Sequence, residues 1–338
     1  MSKVVKIGVI GVGWPGCEHL KGYKSDTAAQ VVALCDINTD LLAAKCKEYD
    51  VPQGFASYRK MLAQADLDAV SVAVPNDLHA PITIAALQAG KHVICEKPPA
   101  RKVAEAQAMA AAAKKARKVL MYALCQRFTS AATTIHRYVE SGELGEIYFG
   151  RAVYHRRRGI PLGTKSWFVD KSRAGGGALI DIGVHALDNA WWLMGCPRPV
   201  SVCGAAYTRF AHTVPAGVKY DVDDSAFALI RFANDAVLIL EASWALNQRG
   251  GSAIQIAGTL GGAEVNPLTI FVERNGMQMD ITPQPPANNP FADEVKHFVQ
   301  CIQTRRQPIP CAAHGVTLMK MLNGVYDSQK TRREVRIS

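Results

Sequence analysis

The sequence has no apolar segment long enough to cross a membrane. A transmembrane helix needs about 20 consecutive apolar residues, and no stretch of these 338 residues approaches that length. The N-terminal apolar run is short, is interrupted by Lys6 and is followed by glycines, which is typical of a strand and not of a signal peptide. We therefore expect a cytoplasmic protein with no membrane partner.

Recognisable disulfide and metal patterns are also missing. The nine cysteines are odd in number, scattered and never arranged as C-x-x-C, which favours reduced thiols in a cytosolic enzyme. The nine histidines form no H-x-x-x-H or other close ligand pair. The sequence therefore predicts neither a disulfide framework nor a metal site.

Acidic residues are outnumbered by basic ones. The 39 Lys and Arg residues against 29 Asp and Glu give a net charge of +10, which attracts anionic ligands. The densest basic run, residues 156–158, is too short for a nucleic-acid tract and has no aromatic residues between its arginines. We expect no nucleic-acid partner.

A glycine-rich turn follows the first apolar run. Residues 4–10 predict a short buried strand, and a helix can begin at residue 14. A strand, a tight turn and a helix start leave backbone N–H groups where an anion binds, and glycines let a pyrophosphate come close. We assign the turn to cofactor binding through Gly11, Gly13, Trp14 and Pro15.

An acidic residue ends the second apolar run. Asp36 lies twenty residues after Gly16, where a carboxylate holds a ribose 2′-hydroxyl. It would repel a 2′-phosphate, and the residues that follow include no arginine to bind one: Ile37, Asn38 and Thr39. The pattern predicts NAD as the cofactor and makes NADP the weaker candidate.

Strand and helix signals alternate over residues 1–125. Strands are predicted at 4–10, 31–35, 69–74, 92–95 and 119–124, and helices at 14–24, 38–49, 57–65, 79–89 and 102–117. This alternation predicts a doubly wound α/β domain whose ligands lie at the carboxyl ends of its parallel strands.

The pattern changes over residues 126–338. A helix at 130–141 precedes strands predicted at 146–155, 200–208, 224–232, 236–245, 252–257 and 268–273, with a last helix at 312–329. Short turns between strands predict an open, mainly antiparallel sheet in an α+β domain. We expect helices 175–194 and 291–303 on one face. The other face has no evident cover, which predicts a homodimer or homotetramer.

Polar residues follow two predicted strands of the first domain. One strand is followed by Pro75, Asn76 and His79, and the next by Glu96 and Lys97. We assign these five residues to the cofactor edge of the sheet. Lys97 is the strongest candidate among them, because a lysine there can stabilise a developing negative charge.

Three ionisable residues interrupt an otherwise apolar helix predicted at 175–194. Asp181, His185 and Asp188 are spaced i, i+4 and i+7, so a regular helix would place them on one face. Ionisable groups in a buried helix must be paired or must line a wet cavity. We interpret this stripe as a functional site.

The order of these motifs resembles the Gfo/Idh/MocA oxidoreductase family. The glycine turn, the sequence EKPPA and the D-x-x-x-H stripe after a glycine run occur in the family's order, and the likeness extends over essentially the whole chain. The resemblance implies an N-terminal Rossmann domain and a catalytic role for Lys97, Asp181 and His185. It implies hydride transfer between nicotinamide and a hydroxyl-bearing carbon of a sugar, cyclitol or glycoside.

Weaker substrate candidates surround these residues. Arg127 resembles a family position near the nicotinamide and the substrate, so we assign it to both. His155, Arg158 and Trp167 follow the first strand of the second domain, and such groups commonly bind polyhydroxylated rings. Pro15 inside the glycine turn and Pro99 after the E-K-P motif depart from the common family pattern.

Two other functions fit the same sequence. A redox-assisted glycosidase or epimerase would keep its NAD bound and produce no net NADH. A non-catalytic dinucleotide-binding regulator would need none of the three catalytic residues, and their presence argues against it.

Overall fold

The computed structural model describes residues 3–337, apart from the side chains of residues 164 and 165. The chain folds into two compact units. The first consists of residues 1–125 and 289–316, and the second of residues 126–288 and 317–338. The first unit therefore contains a segment, 289–316, that lies beyond the predicted domain boundary at residue 125. No helix in the described residues has both the length and the apolarity to cross a membrane.

The first part of the chain alternates strands and helices. Its elements are β1 (Val5–Ile10), α1 (Trp14–Lys24), β2 (Ala29–Cys35), α2 (Thr39–Tyr49), β3 (Gln53–Phe55), α3 (Tyr58–Gln64), β4 (Ala69–Val72), α4 (His79–Gln88), β5 (His92–Glu96), α5 (Val103–Ala116) and β6 (Leu120–Ala123).

The remainder of the chain is richer in strands. Its elements are α6 (Ser130–Glu140), β7 (Ile147–His155), α7 (Lys171–Ala174), α8 (Val184–Leu193), β8 (Pro199–Tyr207), β9 (Ser225–Phe232), β10 (Val237–Ser243), β11 (Gly251–Gly258), β12 (Gly261–Glu264), β13 (Thr269–Arg274), β14 (Met277–Ile281), α9 (Pro290–Thr304), α10 (Ala312–Thr331) and β15 (Val335–Arg336).

The first unit contains a six-stranded parallel sheet in the order β3-β2-β1-β4-β5-β6. Its strands β1, β4 and β5 are rich in Val or Ile and almost wholly buried, because helices cover both faces of such a sheet. The chain reverses direction across the sheet between β1 and β4, and this switch point is where ligands bind in doubly wound folds. The predicted fold class of this part is confirmed.

Helix α9 also belongs to the first unit. It packs on α1, where a Cβ on Gly22 would overlap the Val295 side chain and lie 3.1 Å from the Ala292 Cα. The prediction that residues 291–303 cover the second sheet is therefore wrong. An amphipathic helix shows in its sequence that one face is buried, but not which sheet or helix buries it.

The second unit contains a nine-stranded sheet in the order β14-β13-β12-β11-β7-β10-β9-β8-β15. Every neighbouring pair is antiparallel except β7 and β10, so the expected mainly antiparallel sheet is confirmed. Gly150 on β7 faces Met194 at the end of α8, and Gly204 on β8 faces Val325 of α10. Helices α8 and α10 thus pack on the face that carries even-numbered residues of β7 and β8.

Candidate active site

Close backbone packing fixes the shape of the glycine turn. Gly11 has a φ of +87°, and a Cβ on it would overlap the Ala73 carbonyl oxygen. A Cβ on Gly16 would overlap the carbonyl oxygen of Gly11. Pro15 lies in the first turn of α1, where a missing N–H costs nothing. The departure at Pro15 therefore leaves the turn intact.

Gly13 has a different surrounding from the other two glycines. It caps the N-terminus of α1, is exposed, and has no atom within 4 Å of the position that a Cβ would take. No side chain caps the N-terminus of this helix, which is the arrangement that accepts a pyrophosphate. Trp14, next in the chain, is 63% exposed. Its ring meets the Phe291 ring edge-on, with 5.6 Å between the two ring centres.

Asp36 directly follows β2 at the same edge of the sheet as the glycine turn. Its Oδ2 accepts a hydrogen bond from Val12 N at 3.0 Å, and its Oδ1 accepts one from Asn38 N at 2.9 Å. The carboxylate is thus held directly beside the glycine turn, as a ribose-binding acid requires. Open space at Gly13, an uncapped helix start and this carboxylate together fit a dinucleotide such as NAD.

His79 connects two loops at the carboxyl ends of the strands. Its Nδ1 lies 2.8 Å from the Pro98 carbonyl oxygen, and its Nε2 lies 2.9 Å from that of Val74. The ring is fully buried, and burial lowers its pKa while the two carbonyls oppose that change. His79 therefore supports the loops that carry Pro75, Asn76 and Lys97, and this placement argues against a direct contact with the cofactor.

Glu96 fixes the peptide from which the Lys97 side chain starts. Its Oε2 accepts a hydrogen bond from Lys97 N at 3.1 Å, and its Oε1 lies 3.3 Å from His19 Nε2. Burial favours the neutral acid, but His19 and the charge of Lys97 outweigh burial and lower the pKa of Glu96. Lys97 itself is half-buried directly after β5.

Glu294 lies near the same histidine, His19, and the sequence gives no signal for it. Its Oε1 lies 3.9 Å from His19 Nε2, and neither carboxyl oxygen has a hydrogen-bond partner among the described residues. Burial, reinforced by the charge of Glu96, raises the pKa of Glu294 well above its ordinary value. The other ring nitrogen of His19, Nδ1, forms a hydrogen bond with Ser71 Oγ at 3.0 Å. The same Ser71 oxygen lies 2.8 Å from the Tyr23 hydroxyl.

In the second unit, Asp181 lies in a π-helical turn and not in a regular helix. This turn spans Leu179–Gly183 and leads into α8, whereas residues 175–177 form a bend. The predicted continuous helix over 175–194 is therefore wrong at its start. π-turns are rare and recur at functional sites. The Asp181 carboxylate accepts a hydrogen bond from Trp244 Nε1 at 2.9 Å, and His185 lies half-buried in the first turn of α8.

Asp188 does not share the surroundings of Asp181 and His185. It is 1% exposed and pairs with Arg127, whose Nε lies 2.8 Å from Oδ2 and whose Nη2 lies 2.5 Å from Oδ1. Burial raises the pKa of Asp188, and the Arg127 guanidinium partly offsets that rise. The expected single stripe of three groups is thus divided between a partly exposed pair and a buried ion pair.

The candidate substrate residues are placed differently from one another. Strand alternation directs Tyr154 toward the apolar cluster around Trp244, whereas His155 lies on the opposite face of the sheet, 3.5 Å from the Glu241 carboxylate. The structure therefore does not bring His155 to Asp181. Trp167 stacks on Phe168, which packs against the same cluster, and exposed Arg158 donates to Asn247 Oδ1 at 2.7 Å.

Taken separately, the two units carry complementary chemistry. The first presents a dinucleotide cradle with a half-buried lysine at the carboxyl end of β5. The second presents an imidazole and a carboxylate beside a π-turn. A Rossmann sheet with this cradle is typical of dinucleotide-binding oxidoreductases.

Comparison with known proteins places the chain within that class. Residues 5–124 match the description "Oxidoreductase family, NAD-binding Rossmann fold", and residues 132–264 match the "GFO/IDH/MocA C-terminal domain". The chain therefore belongs to the Gfo/Idh/MocA oxidoreductase family. Its N-terminal domain is an NAD-binding Rossmann domain of that family.

Individual relatives align with most or all of the chain. A D-glucoside 3-dehydrogenase of Escherichia coli (strain K12) is 32% identical, over 99% of this chain and 98% of the relative. A levoglucosan dehydrogenase of Pseudarthrobacter phenanthrenivorans is 34% identical, over 78% of this chain and 73% of the relative. A solved levoglucosan dehydrogenase in complex with NADH and L-sorbose superposes with a TM-score of 0.90 at 27% identity, covering 100% of both chains.

Proposed function

We propose that this protein oxidises a secondary ring hydroxyl of a glycoside or related sugar and passes the hydride to NAD. The observation that carries the proposal is the end-to-end match to a D-glucoside 3-dehydrogenase. A levoglucosan dehydrogenase among the relatives supports the same substrate class. Cyclitols and free sugars remain within the class that this chemistry can oxidise.

The proposed catalytic residues are Lys97, Asp181 and His185. His185 takes the hydroxyl proton, because an imidazole titrates near neutral pH. Asp181, held by Trp244, stabilises the charged imidazole. Lys97 stabilises the negative charge that develops on the substrate oxygen. When bound, NAD supplies the nicotinamide carbon that accepts the hydride.

The proposed cofactor contacts follow the edge of the first sheet. Gly13 and the start of α1 face the pyrophosphate, Asp36 accepts hydrogen bonds from the ribose, and the loops after β4 and β5 border the nicotinamide half. For the substrate we propose Trp167 as an aromatic wall and Arg158 as a polar contact. Support for Trp167 comes from its stacking on Phe168 in the apolar cluster that also packs against Trp244.

The test is a substrate panel with both coenzymes. Methyl D-glucosides, free D-glucose and myo-inositol are each incubated with NAD or NADP, and reduced nicotinamide is followed by absorbance. We expect net NADH formation, highest with a glucoside, and little activity with NADP. Replacing His185 by Gln should lower kcat by about 10² to 10⁴, the range for loss of a general base.

The panel also separates the other functions. A product formed from a glycoside without net NADH would support a redox-assisted glycosidase or epimerase. Activity in cells that survives replacement of both Lys97 and His185 would support a regulator.

We also infer that copies of this chain associate through the face of the second sheet opposite α8 and α10. We infer in addition that the protein works in the cytoplasm. The first inference rests on half-exposed apolar residues of β7, β9 and β10 on that face. The second rests on the nine free thiols, because proteins of oxidising compartments rarely leave cysteines unpaired. Cell fractionation tests the location.

A further inference from the structure

The helical stretch that carries Asp181 and His185 is held by two buried carboxylates, one at its start and one in the middle of α8. At its start, Asp223 accepts hydrogen bonds from Gly177 N at 2.7 Å and Leu179 N at 2.9 Å. The Tyr326 hydroxyl donates to the same carboxylate at 2.7 Å. Further along, Asp188 is held by Arg127. The two clamps lie on either side of the proposed base.

The second clamp is a bidentate ion pair. Two parallel N–H groups of Arg127 meet the two oxygens of Asp188, and both side chains are 1% exposed. The guanidinium carbon lies 5.9 Å from the Trp191 ring centre and 5.7 Å from that of Trp192. A bidentate contact between aromatic rings suits arginine and does not suit lysine, which is a point charge.

Asp188 and His185 lie close to each other on the same helix. Asp188 follows His185 by three residues on α8, so the two side chains are neighbours along the helix. Each residue of an α-helix turns the side-chain direction by about 100°. A helix that rolled to release Asp188 would therefore carry the His185 imidazole with it.

We propose that Arg127 is a positioning residue, which acts through Asp188 to fix the roll of α8 and hence the orientation of the His185 imidazole. It does so in place of the direct cofactor and substrate contacts that the sequence suggests. This inference rests on the proposed function of His185 as the base. Asp188 occupies the Nε edge of the guanidinium, and the side chain as a whole is 1% exposed, which favours a structural role over a ligand contact.

The test compares Arg127→Lys, Asp188→Asn and the double variant with the wild type. The matched control is Arg274→Lys, which alters an exposed ion pair with Glu143. Measurements are the NAD dissociation constant from tryptophan fluorescence, kcat and KM for a methyl D-glucoside, and the ring resonances of His185 in NMR spectra. His185→Gln identifies those resonances.

For Arg127→Lys we expect kcat to fall about 10- to 100-fold, the range for a misplaced catalytic group. NAD affinity and KM should stay within about twofold, because neither ligand touches Arg127. The His185 resonances should shift, and the double variant should lose little more than either single one, since both break the same pair. Arg274→Lys should change none of these quantities.

Two results would overturn the proposal. A rise in the NAD dissociation constant or in KM with kcat unchanged would make Arg127 a ligand. His185 resonances that do not move would remove the positioning role even if the variants were less stable. The NMR measurement needs no turnover, so a failure of the proposed glycoside activity in the wild type is distinguishable from a failure of this inference.

Discussion

At the scale of single residues, Glu294 couples the stability of the protein to pH. Its raised pKa means that the folded state keeps a proton that the unfolded chain releases above about pH 4.3. The free energy of unfolding therefore falls as the pH rises from that value toward the pKa of Glu294 in the folded state. The titratable groups that face this carboxyl are His19 and Tyr23 on α1, Glu96 on β5, and Cys125.

Replacing Glu294 by Gln should remove this dependence, because the amide has the same shape and no proton to lose. We expect Glu294→Gln to be more stable than the wild type near pH 7, because burial makes the ionised carboxylate of the wild type costly and the neutral amide has no such cost. The advantage should shrink toward about pH 4. Urea unfolding at a series of pH values measures it, with the exposed Glu273→Gln as the control. Equal pH slopes in wild type and variant would show that Glu294 is ionised when folded.

Residues with a local signature were predictable from sequence, and residues defined by a distant partner were not. Asp36 is found by its spacing from the glycines, and Lys97 by its place after a strand. Glu294 gives no such signal, because its partner His19 lies in a helix near the other end of the chain. The sequence identifies Arg127 as a candidate site residue. It does not predict the pairing of Arg127 with Asp188, which lies 61 positions away.

At the scale of elements, Gly13 and Gly177 each precede a helical stretch, but the space around the two glycines is different. A Cβ on Gly177 would overlap the Asp223 backbone, whereas a Cβ on Gly13 would meet open space. Gly177→Ala should therefore cost about 1–3 kcal/mol of unfolding free energy through overpacking. Gly13→Ala should cost less than about 1 kcal/mol but should weaken NAD binding at least about tenfold, because it fills space that the pyrophosphate needs.

Each of these variants is the control for the other. Denaturant unfolding gives the stability, and tryptophan fluorescence titrated with NAD gives the affinity. Gly177→Ala should leave the NAD dissociation constant within about twofold of the wild type. If Gly13→Ala bound NAD normally, the pyrophosphate would not lie at the start of α1.

Long periodic elements were predicted well, and short or irregular ones were missed. The structure confirms α1 and α2 nearly to the residue, because Pro15 marks the first turn of α1 and Asn38 caps α2. Four short strands escaped prediction: β3, β12, β14 and β15. The π-turn was also missed, since one extra residue in a turn leaves no mark on the apolar pattern.

At the scale of the whole molecule, the second sheet leaves one face without a helix in the described residues. The odd-numbered residues of β7 and β10 and their partners on β9 lie on this outer face. It includes Phe149, Leu229, Val237 and Ile239, all half-buried, with an ion pair between Arg151 and Glu241. A face of this composition is costly to leave in water and suits a second copy related by a two-fold axis.

Replacing Ile239 by Glu tests whether this outer face holds copies together. The side chain points away from α8, so a charge there should leave the chain folded while it opposes burial against another copy. Light scattering after size exclusion should give a multiple of the 36.6 kDa chain mass for the wild type and a smaller mass for the variant. Leu260→Glu, at a site 65% exposed in a turn between β11 and β12, should keep the wild-type mass. A monomeric wild type, or an Ile239→Glu variant of unchanged mass, would place the association elsewhere or exclude it. The free energy of unfolding, measured alongside, ensures that a smaller mass reflects a lost interface and not a lost fold.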